Sequence, residues 1–358
     1  MWLQDLQITN FRNLASFHLQ PGPGLNVIAG PNASGKTALL ESIYLLSRSR
    51  SFRSHRINEL IAYPEKQLRL VAGWQMAGGR PLSVCLERNR NQTRLTLAGQ
   101  PVRNLSAHAR QLPILLLTPE SHELLAGRPQ LRRRWLDWAM FHVEQNYLTT
   151  WQDCFAALRQ RNALLKRGAK PAELDAWELT LANQTMLLEQ LRRDFLADFS
   201  RQFAELSALL LPGRAEIGYV SGRPEETGYL DYLRENRPDD RQRGFTQAGA
   251  HRSDLQFKLD DLDARAHLSR GQAKLYIAAL VLALGRVMVA AGLRPVFLVD
   301  DLPAELDPAA RECFMTRLAE TGAQVFVTTI EASALPVTAW ADCRLFHVEH
   351  GRLAEVIQ

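Results

Sequence analysis

A short apolar run, Leu25 to Ala29, breaks into Gly30-Pro31-Asn32-Ala33-Ser34-Gly35-Lys36-Thr37, and Lys36 to Leu46 then follow helical spacing. This G-x-x-x-x-G-K-[ST] pattern constrains the chain more than any other feature. It calls for a strand, a glycine loop and a helix in immediate succession. The glycines let backbone N–H groups wrap phosphates, and the helix N-terminus adds positive potential. Lys36 is placed to reach the β- and γ-phosphates of ATP, and the Thr37 hydroxyl to ligate magnesium. The fold class expected is α/β.

Two further motifs stand in the order such a site needs. Val296-Phe-Leu-Val-Asp300-Asp301 is an apolar strand ending in carboxylates. That pattern puts Asp300 on magnesium and Asp301 where it can orient or deprotonate the attacking water. About 30 residues earlier, Leu268-Ser269-Arg270-Gly271-Gln272 opens a helix. It resembles the LSGGQ signature of ABC ATPases. That resemblance implies that Ser269, with Gly271, Gln272 and the helix N-terminus, covers the γ-phosphate held by a second subunit. Asp307, in Ala304-Glu-Leu-Asp307, resembles the D-loop at the seam of such a dimer. Two departures matter. The second carboxylate is usually Glu and is here the shorter Asp301. A switch histidine expected after the next strand is replaced at Val327-Thr328-Thr329, with Thr329 in its place. Both changes predict slow hydrolysis.

The organisation expected is an ATPase core in two sequence halves, 1–120 and 213–358, with a helical lobe, 121–212, inserted between them. Residues 3–8 and 15–19 alternate as strands. Residues 68–72, 82–87 and 93–97 form a predicted meander. From Pro129 to Leu211 glycine and proline become rare. Pro171 opens a predicted helix with Leu174, Leu181, Leu188 and Phe195 seven residues apart, reaching to about Leu210. An ordinary helical subdomain is expected rather than a free coiled coil, because Gln184 and Asp198 interrupt the seam. Gly213 to Arg243 reads as surface loops and turns. No run of about 18 apolar residues lacks charge, and Gln272 to Gly292 reads as a buried helix. Together with an N-terminus unlike a secretory leader, this predicts a cytoplasmic protein without a membrane partner.

Lys36 and Asp300 lie 264 residues apart, far more than in the ATPase heads of transporters and far less than the arms of SMC proteins require. Further motifs are Asn10-Phe-Arg12-Asn-Leu14 and a central run, Pro119-Glu120, Leu124-Leu125, Gly127, Pro129, Arg132-Arg133 and Asp137. Arg159-Gln-Arg161-Asn162, Ala250-His251-Arg252-Ser253-Asp254, and Asp300-Asp301 through Leu306-Asp307 complete the set, with Arg311 a looser match. On these residues the chain resembles the RecF family of bacterial recombination-repair proteins along nearly its whole length. In the histidine box Ala250 and Ser253 depart from the family pattern. The resemblance implies an ATP-dependent homodimer on double-stranded and gapped DNA. It also implies work with RecO and RecR to load RecA where single-strand-binding protein coats the strand. The competing readings are an SMC-like structural DNA clamp and, further off, a transporter's ATPase subunit.

Individual residues carry alternative readings. Arg12 is a candidate for phosphate contact, as at the matching place in SMC-like heads. Arg132, Arg133 and Arg134 could touch DNA phosphates or pair internally, and Arg133 leans to structure. His251 and Arg252 have equal claims to structure and function. Arg48, Arg50, Arg53 and Arg56 form a basic stretch that could face DNA or simply complement a helix end. A net charge of +5, with only six of 43 basic residues Lys, gives weak support for a nucleic-acid partner. Cys85, Cys154, Cys313 and Cys343 form no CxxC pair, so reduced thiols are expected. No nuclease or metal-hydrolase cluster appears.

Overall fold

The structure, a computed structural model, describes residues 1–54, 56 and 59–357. The chain divides into two compact units, Met1–Ser121 with Arg270–Gln358, and His122–Ser269.

The first unit is α/β and holds two six-stranded sheets. In one, Leu14–Leu19, Trp2–Phe11, Gln67–Gln75, Pro81–Asn89, Thr93–Leu97 and Gln100–Pro101 lie side by side in that order. All its pairings are antiparallel. Alternation places one face inward, as the predicted meander requires. Leu3 and Leu6 break strict alternation yet both are buried, because a register shift between Leu3 and Asp5 resets the pleat.

The second sheet runs Arg352–Ile357, Cys343–Glu349, Leu25–Ala29, Gln324–Thr329, Val296–Val299 and Ile114–Leu117. Its inner strands are parallel. Three of them, Leu25–Ala29, Gln324–Thr329 and Val296–Val299, are buried at every residue, as expected of a sheet covered on both faces. The polar residues inside it are satisfied. Gln324 donates to the carbonyls of Leu3 and Gly22 and accepts from the Leu3 N–H at 2.7 Å. The helix Arg270–Ala290 is apolar and long enough to cross a membrane, but its middle, Tyr276 to Gly285, is buried in this unit, as expected of a core helix.

In the second unit a 40-residue helix, Pro171–Leu210, lies beside Tyr147–Lys166. Leu174, Leu181, Leu188 and Phe195 are all buried, so the predicted repeat marks its inner face. Beyond Phe195 the spacing tightens to four, and Phe195, Phe199 and Phe203 stack with centroids 5.8 and 6.1 Å apart. Proline at the first turn and Glu173 accepting from the Lys170 N–H at 2.9 Å fix its start.

The division expected at residue 213 moves to residue 270. Gly213 to Arg243 is not a string of loops: it contains the strand Ala215–Val220 and the helices Tyr229–Glu235 and Arg237–Arg243. Ala215–Val220 pairs antiparallel with Asp254–Leu259, which pairs with Leu262–Asp263, and the long helix packs on that sheet. That packing, with Arg161 on Asp240 and Arg192 on Ser253, binds 213–269 to the helical unit. The sequence concealed this because the strand is short and its turns are rich in Gly and Pro.

Candidate nucleotide site

The strand Leu25–Ala29 lies beside Gln324–Thr329, which lies beside Val296–Val299. That order brings three strand ends, separate in sequence, to one edge of the sheet. There Asn13, Asn32, Ala33, Gly35, Lys36, Thr37, Arg53, Ile61, Asp300, Asp301 and Thr328 line a cavity of about 610 Å³ together with Arg12 and Glu59. Open α/β sheets bind ligands at this edge.

The loop is built as a cradle. Gly30 has φ of +153°, and a Cβ there would stand 2.1 Å from the Val348 carbonyl oxygen. Gly35 has φ of +115°, and its Cβ would meet Leu14 at 2.7 Å. Lys36 Nζ donates to the carbonyls of Gly30 and Pro31 at 2.8 and 2.9 Å, which folds the loop over the ammonium. Burial lowers the Lys36 pKa, while Asp301 and Asp300 oppose the shift. Ser34 Oγ is buried and, among the described residues, has no hydrogen-bond partner. A buried orphan hydroxyl in this loop fits a site completed by phosphate oxygens.

Thr37 Oγ1 lies 2.9 and 3.0 Å from the two Asp300 oxygens, the pair of hard oxygen ligands suited to magnesium. Thr328 sits between the motifs. Its hydroxyl donates to Asp300 at 2.7 Å and accepts from the Asp301 N–H at 2.7 Å. Burial raises the Asp300 pKa, and the bonds from Thr328 and Thr37 hold it down. The residue expected in place of the switch histidine was Thr329. Its side chain is buried and donates to the Glu331 carbonyl instead, and Thr328 faces the cavity. Strand alternation decides between neighbours, and the register is visible only in the sheet.

Arg12 lines the cavity, but its guanidinium is committed to Glu41, at 2.7 and 3.0 Å, and to the Glu59 carbonyl at 2.8 Å. Glu41 is fully buried on the P-loop helix and also takes bonds from Ser51 and, at 3.7 Å, from Arg53. The sequence reading missed Glu41, Asn13 and Thr328. Glu41 stands one turn beyond Thr37, where a carboxylate on an otherwise apolar helix was the available signal. Three non-glycine cavity residues, Arg12, Ala33 and Asp301, have φ of 55°, 62° and 52°. Backbone strain of this kind gathers at functional sites and costs about 1–3 kcal/mol per residue.

The remaining candidates are not in this cavity. Ser269 is exposed immediately before the helix Arg270–Ala290. Gly271 and Asp307 line a second cavity of about 440 Å³ with Arg270, Lys274, Glu305 and Arg311. Gln272 lies in the first turn of that helix. The Asp307 carboxylate caps the next helix, accepting from the N–H groups of Ala309 and Ala310 at 3.0 Å. Of the basic stretch, Arg53 reaches the nucleotide cavity and Arg48 lies over the Tyr44 ring.

Several arginines of the inserted unit are tied internally. Arg132 forks onto Asp254 at 2.7 and 2.8 Å and also meets the Gly127 carbonyl. Arg133 donates to the Ser253 carbonyl. Arg161, fully buried, holds Glu178, Asp240, Thr246 and the Leu233 carbonyl. Arg192, fully buried, holds Asp137, Tyr147, Ser253 and the Ala250 carbonyl. His251 Nε2 donates to the Thr246 carbonyl at 3.0 Å, and burial pushes its pKa down to about 4. The phosphate-contact reading of Arg132 therefore gives way to an internal ion pair. Three arginines fan around one helix, and the sequence could not show which of them faces inward.

A glycine loop, a threonine–aspartate pair and a signature helix on this sheet order define an ABC-type P-loop ATPase head. The RecF/RecN/SMC N terminal domain family model matches residues 2–352. The chain belongs to the RecF family of DNA replication and repair proteins. It is 39% identical to the DNA replication and repair protein RecF of Chromohalobacter salexigens over 99% of both chains. It is 37% identical to that of Shewanella piezotolerans, over 99% of this chain and 100% of the relative. Among solved structures, it is similar to the recombination mediator protein RecF–ATP in the RecFOR pathway, with a TM-score of 0.87, 24% identity, and coverage of 100% of this chain and 98% of that one. It is also similar in fold to the Smc head domain of Pyrococcus furiosus, with a TM-score of 0.63, 16% identity, and coverage of 99% and 96%.

Proposed function

We propose that this chain is an ATP-dependent DNA-binding protein of recombinational repair. The observation that carries the reading is the joining of Lys36, Thr37, Asp300 and Thr328 at one sheet edge. The loop N–H groups, Lys36 and the Ser34 hydroxyl hold the phosphates of ATP. Thr37 and Asp300 hold magnesium, which neutralises phosphate charge when bound. Arg12 and Arg53 frame the cavity beyond the phosphates. Ser269, Gly271, Gln272 and Asp307 serve the seam, where a second copy closes the site over the γ-phosphate. ATP thereby joins two monomers, and ADP does not. The dimer binds duplex DNA near single-strand gaps and works with RecO and RecR in loading RecA, in the cytoplasm.

Hydrolysis is slow in this reading. Asp301 is one methylene shorter than the usual glutamate, and Thr328 can orient its neighbours but cannot act as a base at neutral pH. Asp301→Asn should retain ATP and magnesium and lower the hydrolysis rate by about 100-fold or more, the scale of a lost general base. Asp300→Asn should weaken magnesium binding instead. An unaltered rate in Asp301→Asn would move the water-activating role to another residue.

The test of the whole reading is mass by light scattering, with DNA affinity measured alongside, in ATP and in ADP. Wild type should dimerise in ATP only and should gain affinity for duplex DNA on doing so. Ser269→Arg should bind ATP as a monomer, fail to dimerise and lose the ATP-dependent gain. If Ser269→Arg still dimerised in ATP, the seam would be misassigned. A normal dimer with no gain on DNA would overturn the repair reading and leave the seam intact.

A further inference from the structure

The histidine box has a part that nucleotide chemistry does not absorb. Ser253 and Asp254 face inward onto Arg192 and Arg132, but Arg252 is exposed. Its guanidinium lies over the ring of Phe245, 5.5 Å from the centroid, and Phe245 is itself 39% exposed.

The backbone beneath Phe245 is fixed from every side. The next residue, Thr246, is buried and uses all its polar groups. Its N–H and hydroxyl donate to Asn162 Oδ1 at 2.8 and 2.7 Å, its hydroxyl accepts from Arg161 at 2.7 Å, and its carbonyl accepts from His251. Burial lowers the His251 pKa to about 4, and since a carbonyl oxygen only accepts, Nε2 carries the proton in this bond. Gly244, before Phe245, takes the left-handed conformation that ends the helix Arg237–Arg243. Arg161, Asn162 and His251 thus all hold Thr246, the residue beside an exposed ring that lies under a cation.

The surroundings are strongly basic. Segments 159–170 and 241–252 together hold eight Lys and Arg; Arg161 is buried against Glu178 and Asp240 and Arg167 pairs with Glu173, which leaves Arg159, Lys166, Lys170, Arg241, Arg243 and Arg252 at the surface. The segments adjoin in space: Arg241 donates to the Ala169 carbonyl, and the stem of Lys166 lies against Gly244, 3.6 Å from where a Cβ would stand. Among the described residues, Lys166, Arg243 and Arg252 are exposed and form no ion pair. A polyanion that also offers flat apolar faces matches this surface on both counts. A duplex shows only its phosphates, whereas a single strand exposes bases that stack on aromatic rings and guanidinium planes.

We propose that Phe245 and Arg252, flanked by Lys166 and Arg243, form a single-stranded DNA contact on the inserted unit. It rests on the DNA-binding reading above and adds a strand-specific site to it. Arg252 and Phe245 meet an unpaired base, and Lys166 and Arg243 meet the phosphates on either side.

The test is fluorescence anisotropy of labelled oligo(dT) and of a blunt duplex of equal length, with ATP, at several salt concentrations. Phe245→Ala should weaken oligo(dT) binding about ten-fold and leave the duplex nearly unchanged, the scale of one lost stacking contact. The double variant Lys166→Glu with Arg243→Glu should weaken oligo(dT) further and flatten its salt dependence. Phe245→Trp should keep affinity and show quenched fluorescence on oligo(dT), a signal that a folding defect cannot produce. Thermal unfolding and ATP affinity should match wild type in all three. The contact is overturned if Phe245→Ala binds oligo(dT) like wild type, or loses duplex and single strand equally. Normal DNA binding by the double variant would assign the surface to another partner and also overturn it. Wild type that bound neither DNA would instead defeat the DNA reading itself.

Discussion

Lys36→Ala is expected to lower ATP affinity by about a thousand-fold, or about 4 kcal/mol, as when one side of a desolvated charge pair is removed. The folded chain should barely register the change. Lys36 is largely buried, and among the described residues its ammonium bonds only to the carbonyls of Gly30 and Pro31. Burial already lowers its pKa, which means that the folded protein disfavours the charge when nothing anionic is bound. Thermal unfolding without nucleotide should therefore stay within a few degrees of wild type, and only the stabilisation added by ATP should disappear. Calorimetric titration alongside melting in the presence and absence of ATP separates the two effects. Wild-type ATP affinity in this variant would remove the phosphate-cradling role from the loop.

Arg192→Met should do the reverse, leaving the nucleotide site intact and destabilising the inserted unit by about 3–5 kcal/mol. Arg192 is fully buried and holds Asp137, Tyr147, Ser253 and the Ala250 carbonyl together. Burial works against its charge, but Tyr147 and Asp137 hold its pKa well above the ordinary value. Methionine fills much of the volume and leaves those oxygens without a donor, which is the costly half of breaking a buried pair. Adding Asp137→Asn should recover part of the loss, because it removes the orphaned charge. Urea unfolding of the two variants measures this. An Arg192→Met protein as stable as wild type would mean that water reaches these groups and replaces the guanidinium.

The two outcomes also divide the sequence motifs by function. The glycine loop and Asp300-Asp301 carry nucleotide chemistry. Arg132, Asp137, Arg161, Asn162, His251 and Asp254 are tied into the polar interior of the inserted unit. A motif rich in arginine resembles a DNA surface when it is read as a string. Whether each guanidinium meets phosphate or carboxylate depends on partners up to 122 residues away, as Arg132 and Asp254 illustrate.

By itself the sequence determined the elements whose signals are local. The P-loop needs contiguous glycines, lysine and threonine, so its strand, loop and helix were legible together. The long helix was legible because its apolar repeat and its opening proline lie on one segment. The strand that ends in Asp300 and the helix that opens after Ser269 were legible for the same reason. Only the tertiary structure decided the rest. Strand order set Thr328 rather than Thr329 beside Asp300, since one residue of register exchanges the two faces of a strand. Packing of the long helix on Ala215–Val220, with Arg161 on Asp240 and Arg192 on Ser253, moved the unit boundary to residue 270, since contacts between distant segments leave no local pattern. Glu41 became the anchor of Arg12, because contacts between residues far apart in the chain are fixed by packing and not by spacing.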